Sequence, residues 1–170
     1  CHTPHGSVHS ALLKKPPPVR INLLPRSAPH GPSGVIENLR LASNPSVPVK
    51  SVKDLISLAK AKPKGLLYGT PGVGSIHHLT VEMLNRAAGI SLMHVPYKGG
   101  PPAVIDAIAG RVQVVITTVI PLSPHLKAAR LRGLAVTSAK RTSVFPDLPT
   151  VAESGVPGFE SHQWFGIFAP

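Results

Sequence analysis

Residues 65–89 read GLLYGTPGVGSIHHLTVEMLNRAAG, a short apolar run followed by a glycine-rich turn and a longer amphipathic segment. The run GLLYG predicts a β-strand that glycine stops, because glycine is depleted in strands. The segment SIHHLTVEMLNRAAG predicts a helix that ends before Gly89 and has four apolar residues at helical spacing: Ile76, Leu79, Met83 and Leu84. A strand, a turn and a helix in this order are typical of a βαβ unit.

The same unit recurs on both sides of this stretch. Downstream, the strands ISLMHV, VQVVITTVI and LRGLAVTSA alternate with the helices PPAVIDAIAG and PLSPHLKAARL. Upstream, ENLRLASNPSVPV predicts a short strand and a turn, and Ser51 caps a helix in SVKDLISLAKAK. Parallel strands need a crossover connection, which a helix supplies, so the alternation predicts an α/β domain with a doubly wound, mainly parallel sheet.

The composition narrows the class of protein. The 170 residues, 42% of them hydrophobic, suffice for one domain with a sizeable core. The single cysteine, Cys1, excludes an intramolecular disulfide framework and a multi-cysteine metal site. The sequence has no apolar run of about eighteen residues, the length that a membrane-spanning helix needs.

The net charge of +11 raises the alternative of a basic single-domain protein that binds nucleic acid or another polyanion. Such a protein would use the basic residues of 14–40 and the scattered surface lysines. These residues are spaced singly or in pairs, without the interleaved aromatic residues that stack on bases. Solvated surface charge is therefore the preferred interpretation, and a steep salt dependence of binding would favour the alternative.

Three turns follow the carboxyl ends of predicted strands, where open parallel sheets bind ligands: 69–75, 96–100 and 117–120. In the first, Gly69 and Gly74 have the spacing of a nucleotide-binding P-loop, but Ser75 stands in place of its lysine. Free N–H groups at a helix N-terminus and the hydroxyls of Thr70 and Ser75 still favour an anion. A carboxylate fits such a loop better than a triphosphate.

Each of these features also has a purely structural interpretation. Ser75 would cap a helix, and Tyr97 and Lys98 would form a solvated turn. The hydroxyls of Thr117 and Thr118 would satisfy the last backbone groups of a strand. The adjacent residues 77 and 78 are both histidine but point in different directions on a helix, so a zinc site is not expected and residue 78 would serve in capping or packing.

Catalytic patterns are absent from the sequence. The seven carboxylates are scattered, no GxSxG motif surrounds a serine, and a GxGxxG motif beginning at Gly72 fails at His77. An enzyme acting on a phosphorylated substrate would need a general base that the sequence does not supply. We therefore expect a binding protein without catalytic activity, cofactor or metal.

Six segments together resemble the tripartite tricarboxylate transporter receptor family, the Bug-type extracytoplasmic solute-binding proteins. The resemblance extends over about residues 35–170, and the segments occur in the family's order: NPSVPVKSVKDLISLAKAKP, YGTPGVGSIHHL, HVPYKGGPPAVIDAIAGRVQV, PHLKAARLRGLAVTSAKR, PDLPTVAESGVPGFE and WFGIFAP. The resemblance implies a periplasmic-binding-protein-like fold of type II, in which two domains close around a small carboxylate or dicarboxylate. It also implies a periplasmic monomer that passes its ligand to the membrane components of a carrier and has no nucleic-acid partner.

By the same resemblance, the turn from Gly69 to Ser75 forms one wall of the cleft and binds a ligand carboxylate, and the turn from Tyr97 to Gly99 forms a second loop near the cleft. We expect the ligand-binding residues on the three turns and on the helix that follows the first of them: Gly69, Thr70, Gly72, Gly74, Ser75, His78, Tyr97, Lys98, Gly99, Thr117 and Thr118. Many members of the family carry Asp-Asn where this chain has Thr117 and Thr118, so the identity of the ligand does not transfer.

The resemblance also suggests a division of the chain. Residues 1–40 are proline-rich, match the family poorly and are expected to be irregular; residues 41–160 are expected to form the α/β ligand-binding domain, the second domain of the receptor. Residues 161–170 are expected to be a strand returning towards a first domain that this chain lacks. On this interpretation the chain is a truncated receptor.

Overall fold

The computed structural model describes residues 34–166, with side chains described for 37–165. Its elements, in chain order, are β1 (Gly34–Asn38), β2 (Arg40–Ser43), α1 (Val52–Ala61), β3 (Leu67–Thr70), α2 (Ile76–Ala88), β4 (Met93–Pro96), α3 (Gly100–Ile108), β5 (Val114–Thr117), α4 (Val119–Lys127), β6 (Arg132–Val136) and β7 (His162–Gly166). Among these residues, no helix combines the length and the apolar character needed to cross a bilayer.

A five-stranded sheet in the order β4-β3-β5-β2-β6 forms the centre of the domain. β3 pairs in parallel with β4 and β5, whereas β2 pairs antiparallel with β5 and β6. Four strands therefore run in one direction and β2 runs against them. The prediction of an α/β fold with a mainly parallel sheet is confirmed, and β2 is the exception that local sequence could not reveal.

The helices cover both faces of the sheet, as a doubly wound sheet requires. On one face, α1 and α2 contribute Leu55 and Val81 to a cluster that includes Tyr68 and Leu41 of the strands. On the other face, Val104 of α3 belongs to a second cluster, which contains α4 and strand residues. Both faces of the sheet are thus buried, which explains the near-continuous apolar strands in the sequence.

The helix boundaries agree with their capping signals. Ser51 Oγ accepts the N–H of Asp54 at 3.1 Å and begins α1, and Lys62 is its C-cap. Ser75 begins α2, and Gly89 ends it in the left-handed conformation with φ of 62°. The predicted ends of both helices are therefore confirmed, because they depend on local hydrogen bonds.

One predicted boundary of the elements is wrong. Val119 and Ile120 belong to α4 and not to the preceding strand, which ends at Thr117, because a run of β-branched residues carries no stop signal. Helical spacing of apolar residues also does not identify the buried face of α2, since Leu79 is 49% exposed. The buried residues of that helix are instead His77, Thr80, Val81, Leu84 and Asn85.

Strands β1 and β7 form a separate antiparallel ribbon that brings distant parts of the chain together. β1 lies in the last residues of the segment predicted to be irregular, and for residues 34–38 that prediction is wrong. The reason is that a partner far along the chain holds this strand, and local pattern does not show such pairing. Residues 1–33 lie outside the described residues.

Candidate functional site

The three predicted turns meet at one edge of the sheet. The N–H of Tyr97 donates to the carbonyl of Thr70 at 3.0 Å, and the N–H of Gly99 donates to the carbonyl of Pro71 at 3.1 Å. A methyl group on Gly100 would lie 2.8 Å from Thr117 Oγ1, so the third turn approaches the second without room for a side chain between them. The carboxyl ends of β3, β4 and β5 therefore form one continuous surface.

The glycine loop, residues 71–75, is held by side chains at both of its ends. Thr70 Oγ1 accepts the N–H of Gly72 at 3.3 Å, while Ser75 Oγ donates to the carbonyl of Gly72 at 2.8 Å. Ser75 Oγ also accepts the N–H of His78 at 3.3 Å as the cap of α2. Both hydroxyls thus hold the loop, and the first N–H groups of α2, which lack partners within the helix, are the donors that a ligand can use.

Stacked aromatic side chains lie next to the glycine loop and support it. Nδ1 of His78 accepts the N–H of Gly74 at 3.2 Å, and Gly74 adopts a φ of 74°, which favours glycine. The His78 ring stacks on His94 at 4.1 Å between centroids, and Tyr68 lies 5.0 Å beyond on the same stack. Burial, followed by the adjacent His78 imidazole, lowers the pKa of His94. His78 therefore shapes the loop through Gly74.

His94 is a residue of the site that the sequence did not single out. Its Nε2 lies 2.7 Å from Thr70 Oγ1, at the start of the glycine loop. The sequence places it inside an apolar strand, and only the parallel register, which pairs it with Tyr68, brings it beneath the loop.

Tyr97 and Lys98 have different environments although they are adjacent. The Tyr97 ring packs on Gly69, where a methyl group would lie 3.1 Å from its Cε2 atom. Its hydroxyl donates to Asp106 Oδ2 at 2.8 Å; burial and then this carboxylate raise the pKa of Tyr97 to about 12. Lys98 is exposed beside the glycine loop. Tyr97 thus fixes the second turn, and Lys98 supplies an accessible positive charge.

The third turn contains Thr117, Thr118 and a neighbour that the sequence did not indicate. Thr117 is 2% exposed, and Thr118 occupies the N-cap position of α4 without a side-chain hydrogen bond to the helix. Directly opposite Thr117 in the antiparallel register lies Arg40, which is 3% exposed. In the sequence, Arg40 is only one of the basic residues of the N-terminal segment, because its pairing with β5 is non-local.

A cavity of about 630 Å³ adjoins this end of the sheet. Its lining includes Arg40, Val119 and residues 138–144, together with Glu37, Asn38, Glu160 and His162 in and next to the ribbon strands. The cavity therefore extends the surface formed by the three turns towards the β1–β7 ribbon.

Comparison with known proteins identifies the family. The model of the family described as "Tripartite tricarboxylate transporter family receptor" matches residues 35–170. A protein encoded in the tcbD–tcbE intergenic region of Pseudomonas sp. strain P51 is 40% identical over 122 residues, which are 71% of this chain and 36% of the relative. Protein BugT of Bordetella pertussis is 36% identical over 132 residues, 78% of this chain and 40% of the relative.

Solved structures agree with this assignment. Rpa4515 of R. palustris, determined with adipate, superposes with a TM-score of 0.77 at 42% identity, covering 79% of this chain and 45% of the other. MatC from Rhodopseudomonas palustris, with bound malate, gives a TM-score of 0.74 at 26% identity, covering 82% and 48%. This chain spans less than half the length of each of these four proteins. It belongs to the tripartite tricarboxylate transporter receptor family, whose members are solute-binding proteins rather than enzymes.

Proposed function

We propose that the chain is the ligand-binding domain of a periplasmic receptor for a small carboxylate or dicarboxylate. The ligand would bind where the three turns meet and be passed to the membrane components of a tripartite carrier. Two relatives support the ligand class, because their structures contain adipate and malate, which are both dicarboxylates.

The observation that carries the proposal is the glycine loop at the start of α2. Ser75 Oγ and His78 Nδ1 both hold the loop through hydrogen bonds, and the first backbone N–H groups of α2 would then serve as a preformed set of donors to a ligand. A carboxylate has two acceptor oxygens, and a helix N-terminus favours an anion by about 0.3–1 kcal/mol through its dipole alone. Lys98 adds an accessible positive charge at the same edge.

The division of the chain into a central domain and a two-stranded ribbon supports a ligand-binding cleft at the edge of the sheet where the three turns meet. Residues 41–160 contain nearly all of the five-stranded sheet and its helices, and the ribbon strands β1 and β7 flank them. We propose that β7 leads towards a second domain, which would form the opposing wall of the cleft in a monomeric receptor. The greater length of the relatives is consistent with that arrangement.

The alternative of a nucleic-acid-binding or polyanion-binding protein has no support among the relatives.

Replacing Gly74 by valine tests the proposed site. At a φ of 74° a β-branched residue is strained, so G74V distorts the loop and should abolish carboxylate binding measured by calorimetric titration with adipate and malate. Gly158 provides a matched control, since it has a φ of 77° and open space around it in a distant turn. G158V should leave adipate affinity unchanged. Equal affinities of the wild-type chain and G74V would remove the glycine loop from the site.

A further inference from the structure

We propose that Arg40 and the cavity it lines form an anion subsite that holds the second acidic group of a dicarboxylate. The proposal rests on the proposed function, because it assigns the other end of a ligand whose first carboxylate binds the glycine loop. It names a residue on β2, outside the three turns.

Among the described residues, the positive charge of Arg40 has no carboxylate within salt-bridge distance. All seven aspartate and glutamate residues of the sequence lie within the described residues 34–166, and none places a side-chain oxygen within 4.0 Å of Arg40. Most of them bond or pair elsewhere: Asp54 with Ser51, Glu82 with Tyr68, Asp106 with Arg111, Glu153 with Arg141 and Glu160 with His162. A buried charge of this kind is costly unless an opposite charge joins it.

The guanidinium group of Arg40 also has N–H donors that bind no acceptor among the described residues. Nη1 donates to the carbonyl of Asn38 at 3.2 Å, and Nη2 donates to Thr142 Oγ1 at 3.3 Å. Nε is buried and has no partner among the described residues. The group lies over the Phe145 ring at 5.1 Å, which holds its plane in place. An arginine has five N–H donors in a planar fork, so a carboxylate can still be bound by two of them.

Arg40 is positioned to bind the second acidic group of the same ligand. Arg40 and Thr117 are direct partners in an antiparallel pair, so their side chains project from the same face of the sheet. Strand β5 separates β2 from β3, which places Arg40 about 10 Å across the sheet from the strand that leads into the glycine loop. The cavity at Arg40 also includes Val119 at the N-terminus of α4, where backbone N–H groups favour an anion.

Burial lowers the pKa of Arg40, and Glu37 opposes this shift only in part. A bound anion would stabilise the charged guanidinium further. The subsite therefore favours ligands that carry an acidic group at both ends over ligands that carry one.

The test compares adipate with hexanoate, which has the same carbon chain but one carboxylate, by calorimetric titration of the full chain. We expect Arg40→Met to weaken adipate binding by about ten- to a hundredfold, the range for hydrogen bonds to a charged group, while hexanoate affinity stays the same. R40K should retain part of the adipate affinity. Arg132→Met is the matched control, because Arg132 lies on the neighbouring strand β6, where it pairs with the other end of β2.

Several outcomes would overturn the subsite. Equal losses for adipate and hexanoate in R40M would show that Arg40 acts only through the fold, and unchanged adipate affinity would show that it does not contact the ligand. Weaker adipate binding in Glu37→Gln would mean that Glu37 positions the guanidinium, whereas the subsite predicts equal or tighter binding.

A wild-type chain that binds neither acid contradicts the proposed function. In that case sulfate serves as the probe of the subsite. At equal ionic strength, sulfate should raise the unfolding temperature of the wild type more than that of R40M. Equal increases in the two proteins would contradict the anion subsite.

Discussion

At the scale of single residues, His77 shows how burial changes the chemistry of an ordinary side chain. It lies on the buried face of α2 with an exposed fraction of 6%, and neither ring nitrogen has a partner among the described residues. Burial lowers the pKa of His77 to about 4. Two adjacent histidines in a helix do not reveal which one faces the core, because that depends on the rotation of the helix against the sheet.

We predict that His77 makes the protein sensitive to mild acid. Above pH 6.5 the ring is neutral in both folded and unfolded chains; between pH 6.5 and about 4, only the unfolded chain gains the proton. The free energy of unfolding should therefore fall by up to about 3 kcal/mol as the pH drops through that window. The lowered pKa of His94 acts in the same direction.

Urea unfolding of the wild type and His77→Leu at pH 7.5 and 4.5 measures this contribution. The leucine variant should lose much less stability than the wild type between the two pH values. His125→Leu, at a half-exposed position of α4, is the control and should behave like the wild type. Equal losses for all three proteins would show that His77 is protonated in the folded state as readily as in the unfolded state.

At the scale of elements, Thr137 joins parts of the chain that are far apart in sequence. It is 1% exposed and follows β6. Its N–H donates to the carbonyl of Leu39 at 3.0 Å, and its hydroxyl donates to the carbonyl of Ser161. The N–H of Ser161 donates back to the Thr137 carbonyl at 2.8 Å. These bonds connect the base of the ribbon to the edge of the sheet.

We expect Thr137→Val to lower the free energy of unfolding by about 1–3 kcal/mol, since the isosteric valine leaves a buried carbonyl without its donor. Chemical denaturation followed by circular dichroism measures the change. Thr118→Val is the control, because Thr118 makes no side-chain cap bond and should change stability by less than about 0.5 kcal/mol. A loss in T137V no larger than in T118V would show that the hydroxyl bond to Ser161 contributes nothing to stability.

The elements also show which boundaries local chemistry sets. The caps Ser51, Ser75 and Gly89 lie where the sequence predicts them, because each makes a hydrogen bond or adopts a backbone angle within its own turn. The junction between β5 and α4 lies before the position that the sequence predicts, because Val119 and Ile120 are β-branched and yet begin a helix. There the fold overrides intrinsic propensity, which is weak compared with tertiary packing.

At the scale of the whole molecule, the sheet and the ribbon differ in how they are stabilised. Two apolar clusters lie on opposite faces of the same sheet, so the sheet and its helices should unfold together. The ribbon has only two strands, and Trp164 and Phe165 on β7 are 38% and 53% exposed. A two-stranded ribbon is marginally stable by itself.

The single tryptophan of the chain, Trp164, makes this difference measurable. We predict that its fluorescence changes at a lower temperature than the far-ultraviolet circular dichroism of the helices. Adipate should bring the two transitions closer together if the ligand also orders the ribbon side of the cavity. Coincident transitions without ligand would instead show that the ribbon and the sheet form one cooperative unit.

Local sequence was enough to establish the α/β class, most helix boundaries and the three turns, because strand alternation, capping and glycine placement act within a few residues. The six family segments added the receptor family and the expected ligand class. Tertiary structure alone decided the reversed direction of β2, the pairing of β1 with β7 and the placement of His94 beneath the glycine loop. It also placed Arg40 beside Thr117. Each of these depends on hydrogen-bonded register between strands distant in the chain, and no local pattern encodes that register.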